Sequence, residues 1–142
     1  MDNKKQKAGI VPFYFVNNEP HMMFMKPSDE KYGGSKFQIA KGHIDKGENP
    51  LEAALRECNE ELGLVESNII WLEKCGKFFG NHHIYVALLK TNSSKNFDQY
   101  TSETGEVTWM NEPSFLEVGR EKHRPVVQEC VIKFDYCLKK RG

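Results

Sequence analysis

The stretch "GHIDKGENPLEAALRECNEELGL", residues 42–64, places Glu57, Glu60 and Glu61 within a segment that reads as a helix at both ends. Asn49 stands as N-cap, Pro50 at the first helical position and Gly63 just past the last. The apolar spacing predicts a helix over 50–62 with Leu51, Leu55, Cys58 and Leu62 as its core face. Residues three and four apart are neighbours on a helix, so the three glutamates share a face beside that stripe, while Glu52 falls off it toward solvent. Like charges at this spacing cost an isolated helix about 0.2–0.5 kcal/mol per pair, so the cluster calls for a positive partner. Ahead of the helix, "KFQIAKGHIDKGENP" runs from a strand through Gly42 and Gly47; Gly42 is expected to let the backbone turn and approach a ligand.

The rest of the chain limits what that partner can be. A length of 142 residues suits one compact domain, residues 1–142, with a core of its own. Lys plus Arg equals Asp plus Glu at 20 each, so no global charge draws the chain to nucleic acid or anionic lipid, and charge effects must be local. "AGIVPFYFV" after the basic N-terminal residues is short, contains Pro12 and leads to "NNEPH" rather than a cleavage site, so it reads as a first strand. No apolar run approaches the roughly eighteen residues of a membrane span. Cys58, Cys75, Cys130 and Cys137 form no C-x-x-C pair and read as reduced thiols of a soluble, cytoplasmic protein.

Strand-like runs are "AGIVPFYFV", "HMMFMK", "KFQIA", "IIWLEKCGKFF" and "HIYVALLKT". A last helix, "RPVVQECVIKFDYCLKK", opens with Pro125 and repeats apolar residues at Val127, Cys130, Val131, Phe134 and Leu138, a face expected to pack on the sheet. "TNSSKNFDQYTSETGE" has no strand or helix period and reads as a long loop of the kind often used in function. The predicted order is strand, strand, strand, helix, strands, helix: an α/β class with helices on both sides of a mixed β-sheet.

Residues 42–64 resemble the signature box of the Nudix hydrolases. Gly42, Glu48, the pair Arg56-Glu57, the pair Glu60-Glu61, Gly63 and Leu64 stand at the box's spacing, and Cys58 replaces the usual Ile, Leu or Val. The resemblance implies an α/β/α sandwich that hydrolyses a nucleoside diphosphate linked to another moiety, with Mg²⁺ or Mn²⁺. Clustered carboxylates favour a hard cation with oxygen ligands on independent grounds. By the family pattern Glu60, Glu61 and the backbone carbonyl of Lys41 ligate metal. Glu57 ligates metal, acts as general base, or does both. Arg56 orients the catalytic glutamate, and Glu48 helps to position the site. Some relatives take a further acid from a late loop, and Glu103 and Glu106 are both candidates that spacing does not separate.

"AKGHIDKGE" is similar to the "PKGHxExGE" loop of diadenosine tetraphosphate hydrolases, with Ala40 in place of proline, which implies phosphate contact by Lys41 and His43 beside Gly42. Phe79, His82, His83 and Tyr85 are candidates to stack on a base, Tyr85 foremost. The expected substrate is a dinucleoside polyphosphate. Alternatives are a nucleoside triphosphate, an RNA 5′ end held in a basic groove with Lys122, His123, Arg124 and the terminal "KKRG", or a nucleotide-sensing module without turnover. Apart from an RNA end no nucleic acid is implied, no membrane is, and a monomer or homodimer is expected.

Overall fold

The computed structural model of the chain describes residues 5–32 and 35–142; Lys4, the first basic residue, lies outside that range. Strands β1 (Lys7–Val16) and β2 (Glu19–Pro27) form a hairpin closed by Asn17 and Asn18 at φ of 52° and 65°, the left-handed pair that a tight hairpin turn favours. β3 (Ala40–His43) leads to helix α1 (Pro50–Leu62), followed by β4 (Ile69–Phe78), β5 (His82–Leu89), β6 (Thr104–Met110), α2 (Glu112–Val118) and α3 (Arg124–Arg141).

The sheet is mixed, in the order β4-β5-β1-β2-β6, with β1 and β5 parallel and the other pairs antiparallel. One edge of β1 is shared. Its first half, Lys7–Ile10, pairs with β3, and its second half, Phe13–Val16, pairs with β2. β3 and β2 therefore diverge from a common strand, and the gap between them positions the site described below.

Strand alternation sends side chains to two separate cores. Ala8 and Ile10 of β1, Met23 and Met25 of β2, and Tyr85, Ala87 and Leu89 of β5 face α1. Val11 and Phe13, Met22 and Phe24, and Ile84 and Val86 face α2 and α3. The architecture is the α/β/α sandwich expected from the sequence. On the second face Phe134 of α3 stacks on Phe13 with ring centroids 3.9 Å apart, and Phe24 stacks on Phe115 of α2 at 4.1 Å. Burying one such side chain fully contributes roughly 1.5–3 kcal/mol.

Three expectations need correction. The buried face of α1 is Ala53, Ala54, Cys58 and Leu62, while Leu51 is 38% exposed. The helix lies against β1 and β3, and two alanines admit that close approach where leucines would hold it off. The third strand is "AKGH" rather than "KFQIA"; Phe37 and Gln38 make only isolated bridges, to Gly119 and Met25. The presumed long loop contains a single 3₁₀ turn at Ser94–Asn96 and then enters β6, and the short helix α2 follows.

Candidate active site

Helix α1 begins as the sequence requires. The Asn49 side chain accepts the Glu52 N–H at 2.8 Å, and the Glu52 carboxylate accepts the Asn49 N–H at 3.0 Å, a reciprocal capping box. Gly63, at φ 75°, ends the helix in the left-handed conformation. Between these caps two successive turns carry Arg56, Glu57, Glu60 and Glu61.

Arg56 is the positive partner that the acidic face needed. Its Nε and Nη2 donate to the two oxygens of Glu48 at 2.7 and 2.9 Å, and Nη1 donates to Glu57 at 2.9 Å and more weakly to Glu60 at 3.4 Å. Nη2 also donates to the His43 carbonyl at 2.9 Å and lies 3.4 Å from Asp45. The Arg56 side chain is only 30% exposed and that of Glu57 14%, so this network is not a solvated surface pair of about 0–1 kcal/mol. Glu48 is locked further by the Asp45 N–H at 2.8 Å. Its hydrogen bonds to Arg56, then that backbone bond, draw its pKa down to about 2, and Glu48 in return raises the pKa of Arg56.

The other two carboxyls are pushed the opposite way. Glu61 accepts the Lys41 N–H at 3.0 Å, yet burial and then the neighbouring Glu57 raise its pKa to about 8. Burial also raises Glu57, against the opposing pull of Arg56. Gly42 explains how Glu57 fits. Gly42 is part of β3 and makes no turn; a Cβ there would run into the Glu57 carboxyl carbon and both its oxygens. The missing side chain is the seat of a carboxylate, rather than an opening for ligand.

In front of this row, where β3 and β2 part, lies a cavity of about 380 Å³ lined by Lys7, Gln38, Lys41, His43, Glu61, Glu103 and Arg120, among others. Glu103 arrives there because the segment before β6 straps the end of α1. The Asp98 N–H donates to the Gly63 carbonyl at 2.7 Å, that of Thr101 to the Glu60 carbonyl at 2.8 Å, and Thr104 Oγ1 to the Glu61 carbonyl at 2.9 Å. Lys41, which lines the same cavity, has its pKa lowered to about 8 by burial and then by Lys7 and Arg120.

The NUDIX domain family model matches residues 7–130. The chain belongs to the Nudix family. Over 33 residues it is 61% identical to a bis(5′-nucleosyl)-tetraphosphatase (asymmetrical) of Rattus norvegicus, an alignment covering 23% of this chain and 22% of the relative. Over 45 residues it is 47% identical to an RNA pyrophosphohydrolase of Brucella anthropi, covering 31% and 26%. The chain thus spans about a quarter of the length of these curated relatives. A crystal structure of a C. elegans Ap4A hydrolase binary complex superposes with a TM-score of 0.74 at 15% identity, covering 93% of this chain and 98% of that one, which shows a shared fold.

The Nudix box is thereby laid out in space. Arg56, Glu57, Glu48, Glu60, Glu61, Gly42, Lys41 and His43 stand together at the junction of α1 and β3. Glu103 joins them, whereas Glu106 projects from β6, largely exposed and 4.0 Å from Lys26. Tyr85 is also outside: strand parity turns it into the core beneath α1, 8% exposed. His123 is a buried acceptor for the Ile39 N–H at 3.1 Å, Arg124 bonds the carbonyls of Gly119 and Glu117, and Lys140 and Arg141 pair with Glu73 on β4. The sequence offered no signal for Lys7, placed by the way β1 divides between two partners, or for Arg120, placed by its N–H bond to the Phe37 carbonyl at 2.8 Å.

Nudix hydrolases generally use divalent metal ions. Carboxylates and a backbone carbonyl are the donors a hard dication prefers, and Glu57 and Glu61, whose pKa values are raised first by burial, would be held ionised by such an ion, so these residues fit it by chemistry. Among the described residues no three His, Cys, Asp or Glu side chains already stand in a metal-holding group, since Glu57 and Glu60 are drawn onto Arg56.

Proposed function

We propose that the chain, acting as one Nudix domain, hydrolyses a phosphoric anhydride bond in a dinucleoside polyphosphate with the help of Mg²⁺ or Mn²⁺. One observation carries this: a single cavity is lined both by acids, Glu61 and Glu103, and by cations, Lys7, Lys41 and Arg120, with Glu57 seated behind Gly42. Such a cleft accepts a chain of phosphates and sets a base beside it. The short match to an asymmetrical tetraphosphatase, 61% identical over 33 residues, favours the same substrate class.

Glu57, Glu60, Glu61 and the Lys41 carbonyl would hold the dication, which supplies a lowered pKa to bound water and neutralises phosphate charge. Glu57, its pKa raised by burial, takes the proton of the attacking water. As the new P–O bond forms, the bridging P–O bond breaks and the leaving phosphate departs with its electron pair. Arg56, itself clamped by Glu48, holds Glu57 in one rotamer. Glu103 is the late acid for this site, and Glu106 is not. Lys41 and His43 contact phosphate oxygens; no base-stacking role falls to Tyr85.

An RNA 5′ triphosphate presents the same anhydride chemistry, and the match to an RNA pyrophosphohydrolase keeps it as a second reading. Against it, the C-terminal Lys140 and Arg141 are turned onto Glu73 and away from the cavity. The test is incubation with diadenosine polyphosphates, nucleoside triphosphates and 5′-triphosphorylated RNA in ¹⁸O-labelled water with Mg²⁺. The labelled product names the phosphorus attacked. Turnover of diadenosine tetraphosphate above the others, lost in Glu57→Gln, is expected; no turnover on the panel, or an unimpaired Glu57→Gln, refutes the assignment.

A further inference from the structure

The seam between β4 and α3, on the side of the sheet away from α1, brings two cysteine thiols together. Strand alternation sets Trp71, Glu73 and Cys75 on one side of β4. On α3, Cys130, Phe134, Cys137 and Arg141 recur at i, i+4, i+7 and i+11, one face of a helix. Contacts along the seam press these two faces onto each other. The Trp71 ring stacks on Phe134 with centroids 5.4 Å apart and lies 4.6 Å from the Arg141 guanidinium, while Glu73 accepts from Lys140 at 3.1 Å and from Arg141 at 2.9 Å. Cys130 stands one turn before Phe134. It shares a core cluster with Cys75, and the two thiols are hydrogen-bonded to one another.

A β-bulge aims Cys75 into this seam. Lys74 pairs with Tyr85 and Gly76 with Ile84, which leaves Cys75 as the extra residue of β4. Lys74 keeps to the α1 side, its Nζ 6.0 Å from the Tyr85 ring, whereas Cys75 packs against the second core. The two thiols are unequal. Cys130 is fully buried, and Cys75 is half-buried on the edge strand of the sheet. The hydrogen bond from Cys130 draws the Cys75 thiol below its ordinary pKa, against burial and Glu129, while the same bond and burial push Cys130 well up. An accessible thiol that ionises readily beside a second thiol is the arrangement that meets an oxidant and is then resolved. The remaining cysteines lack it: Cys58 is buried in the first core on the Ile10 N–H, and Cys137, two turns along α3 from Cys130, is buried with its thiol on Glu73.

We propose that Cys75 and Cys130 are a redox modification site at which hydrogen peroxide closes a disulfide between β4 and α3. The Cys75 thiolate attacks one peroxide oxygen; the S–O bond forms as the O–O bond breaks, and the leaving hydroxide takes up a proton as water. The Cys130 sulfur, its proton released, then attacks the Cys75 sulfur; the S–S bond forms, the S–O bond breaks, and hydroxide leaves with that proton as a second water. Two electrons pass from the sulfurs to the peroxide, and a dithiol returns them when it reduces the bond. The loop so closed contains β5, β6 and α2, and with them Glu103 and Arg120 of the active-site cavity. The site stands independently of the hydrolase reading.

The experiment exposes the reduced full chain to a small excess of hydrogen peroxide, alkylates the remaining thiols in denaturant, and reads intact mass and non-reduced peptide maps. Oxidised wild type is expected to take up two labels where the reduced protein takes four, with a Cys75–Cys130 cross-link that dithiothreitol reverses. Cys75→Ser should slow the loss of thiols at least about tenfold, since the reactive thiolate is gone. Cys130→Ser should hold Cys75 at the sulfenic acid, captured by dimedone at least about tenfold above wild type. Because Cys130 is buried, that variant can fail to fold; Cys75→Ser, at a half-buried position, then decides alone. Four labels on folded wild type after peroxide, a cross-link through Cys58 or Cys137 or between chains, cross-linking confined to urea-unfolded protein, or undiminished oxidation of Cys75→Ser would overturn the site.

Discussion

Gly42→Ala separates folding from chemistry at the seat of Glu57. The added Cβ meets only the end of the Glu57 side chain, with no backbone atom among its nearest neighbours, so the helix and strand need not move apart. Non-bonded carbon contacts settle near 3.5–4.0 Å, so the carboxyl must withdraw by about 1 Å or more. That withdrawal weakens the 2.9 Å bond from Arg56, a charge-assisted hydrogen bond of roughly 1.5–3 kcal/mol, while alanine recovers about 0.4–1 kcal/mol by narrowing the unfolded ensemble. Net stability should fall by no more than about 2.6 kcal/mol, read by urea denaturation. A misplacement of about 1 Å in a catalytic group can cost 10²-fold, so kcat should fall about a hundredfold, near 2.7 kcal/mol of barrier. Hydrolysis of diadenosine tetraphosphate under saturating Mg²⁺ measures it. A folded Gly42→Ala protein with wild-type kcat would refute the role given to Glu57 and to the glycine that seats it.

Other outcomes follow from the same geometry. Cys58 accepts the Ile10 N–H at 3.2 Å and is fully buried, so Cys58→Val, although it restores the usual family residue type, orphans that donor and should cost about 1–3 kcal/mol in urea unfolding. Asn49→Ala removes the side-chain half of the capping box and should cost about 1 kcal/mol, read as a lowered Tm with the active-site acids intact. Glu61 has a folded-state pKa of about 8 against 4.5 for the ordinary group, so the unfolded chain ionises first as pH rises. Metal-free protein should therefore carry the full contribution of this group below about pH 4.5 and lose it as pH climbs to about 8; Glu61→Gln should flatten the slope, and a Tm rising through that window in chelator would contradict it. Glu103→Gln should lower kcat more than Glu106→Gln, since only Glu103 lines the cavity.

The fold was legible where the chain carries both period and punctuation. Asn49, Pro50 and Gly63 bound α1 to the residue, and the apolar repeat of α3 places Cys130 and Phe134 on the face they occupy. It was illegible where an element has neither. α2 is seven residues long with Phe115 as its one buried anchor, too short for periodicity, and β6 opens with polar residues on an edge of the sheet. β3 hides for a different reason. It is four residues containing a glycine, a lysine and a histidine, held by pairing to β1 and by Cys58, which donates to the Ala40 carbonyl at 3.5 Å.

The same distinction explains which parts of the site could be read. Glu48, Arg56, Glu57, Glu60 and Glu61 lie within fourteen residues of one another, so helical spacing alone brings most of them together and their mutual charge demands a counterion. Lys7, Glu103 and Arg120 come from three distant segments, and each depends on a tertiary event: the division of β1, the strap over the end of α1, and the Arg120 N–H bonded to the Phe37 carbonyl at 2.8 Å. Tyr85 failed as a base platform because strand parity, fixed by the pairing of β5 with β1, turned it inward. The acidic half of this site is therefore local and carried by one helix, whereas the basic half is assembled only by the tertiary fold. Substitutions at Lys7, Arg120 or Glu103 can alter what is bound without disturbing the Arg56 network, since none of the three contributes a hydrogen bond to it.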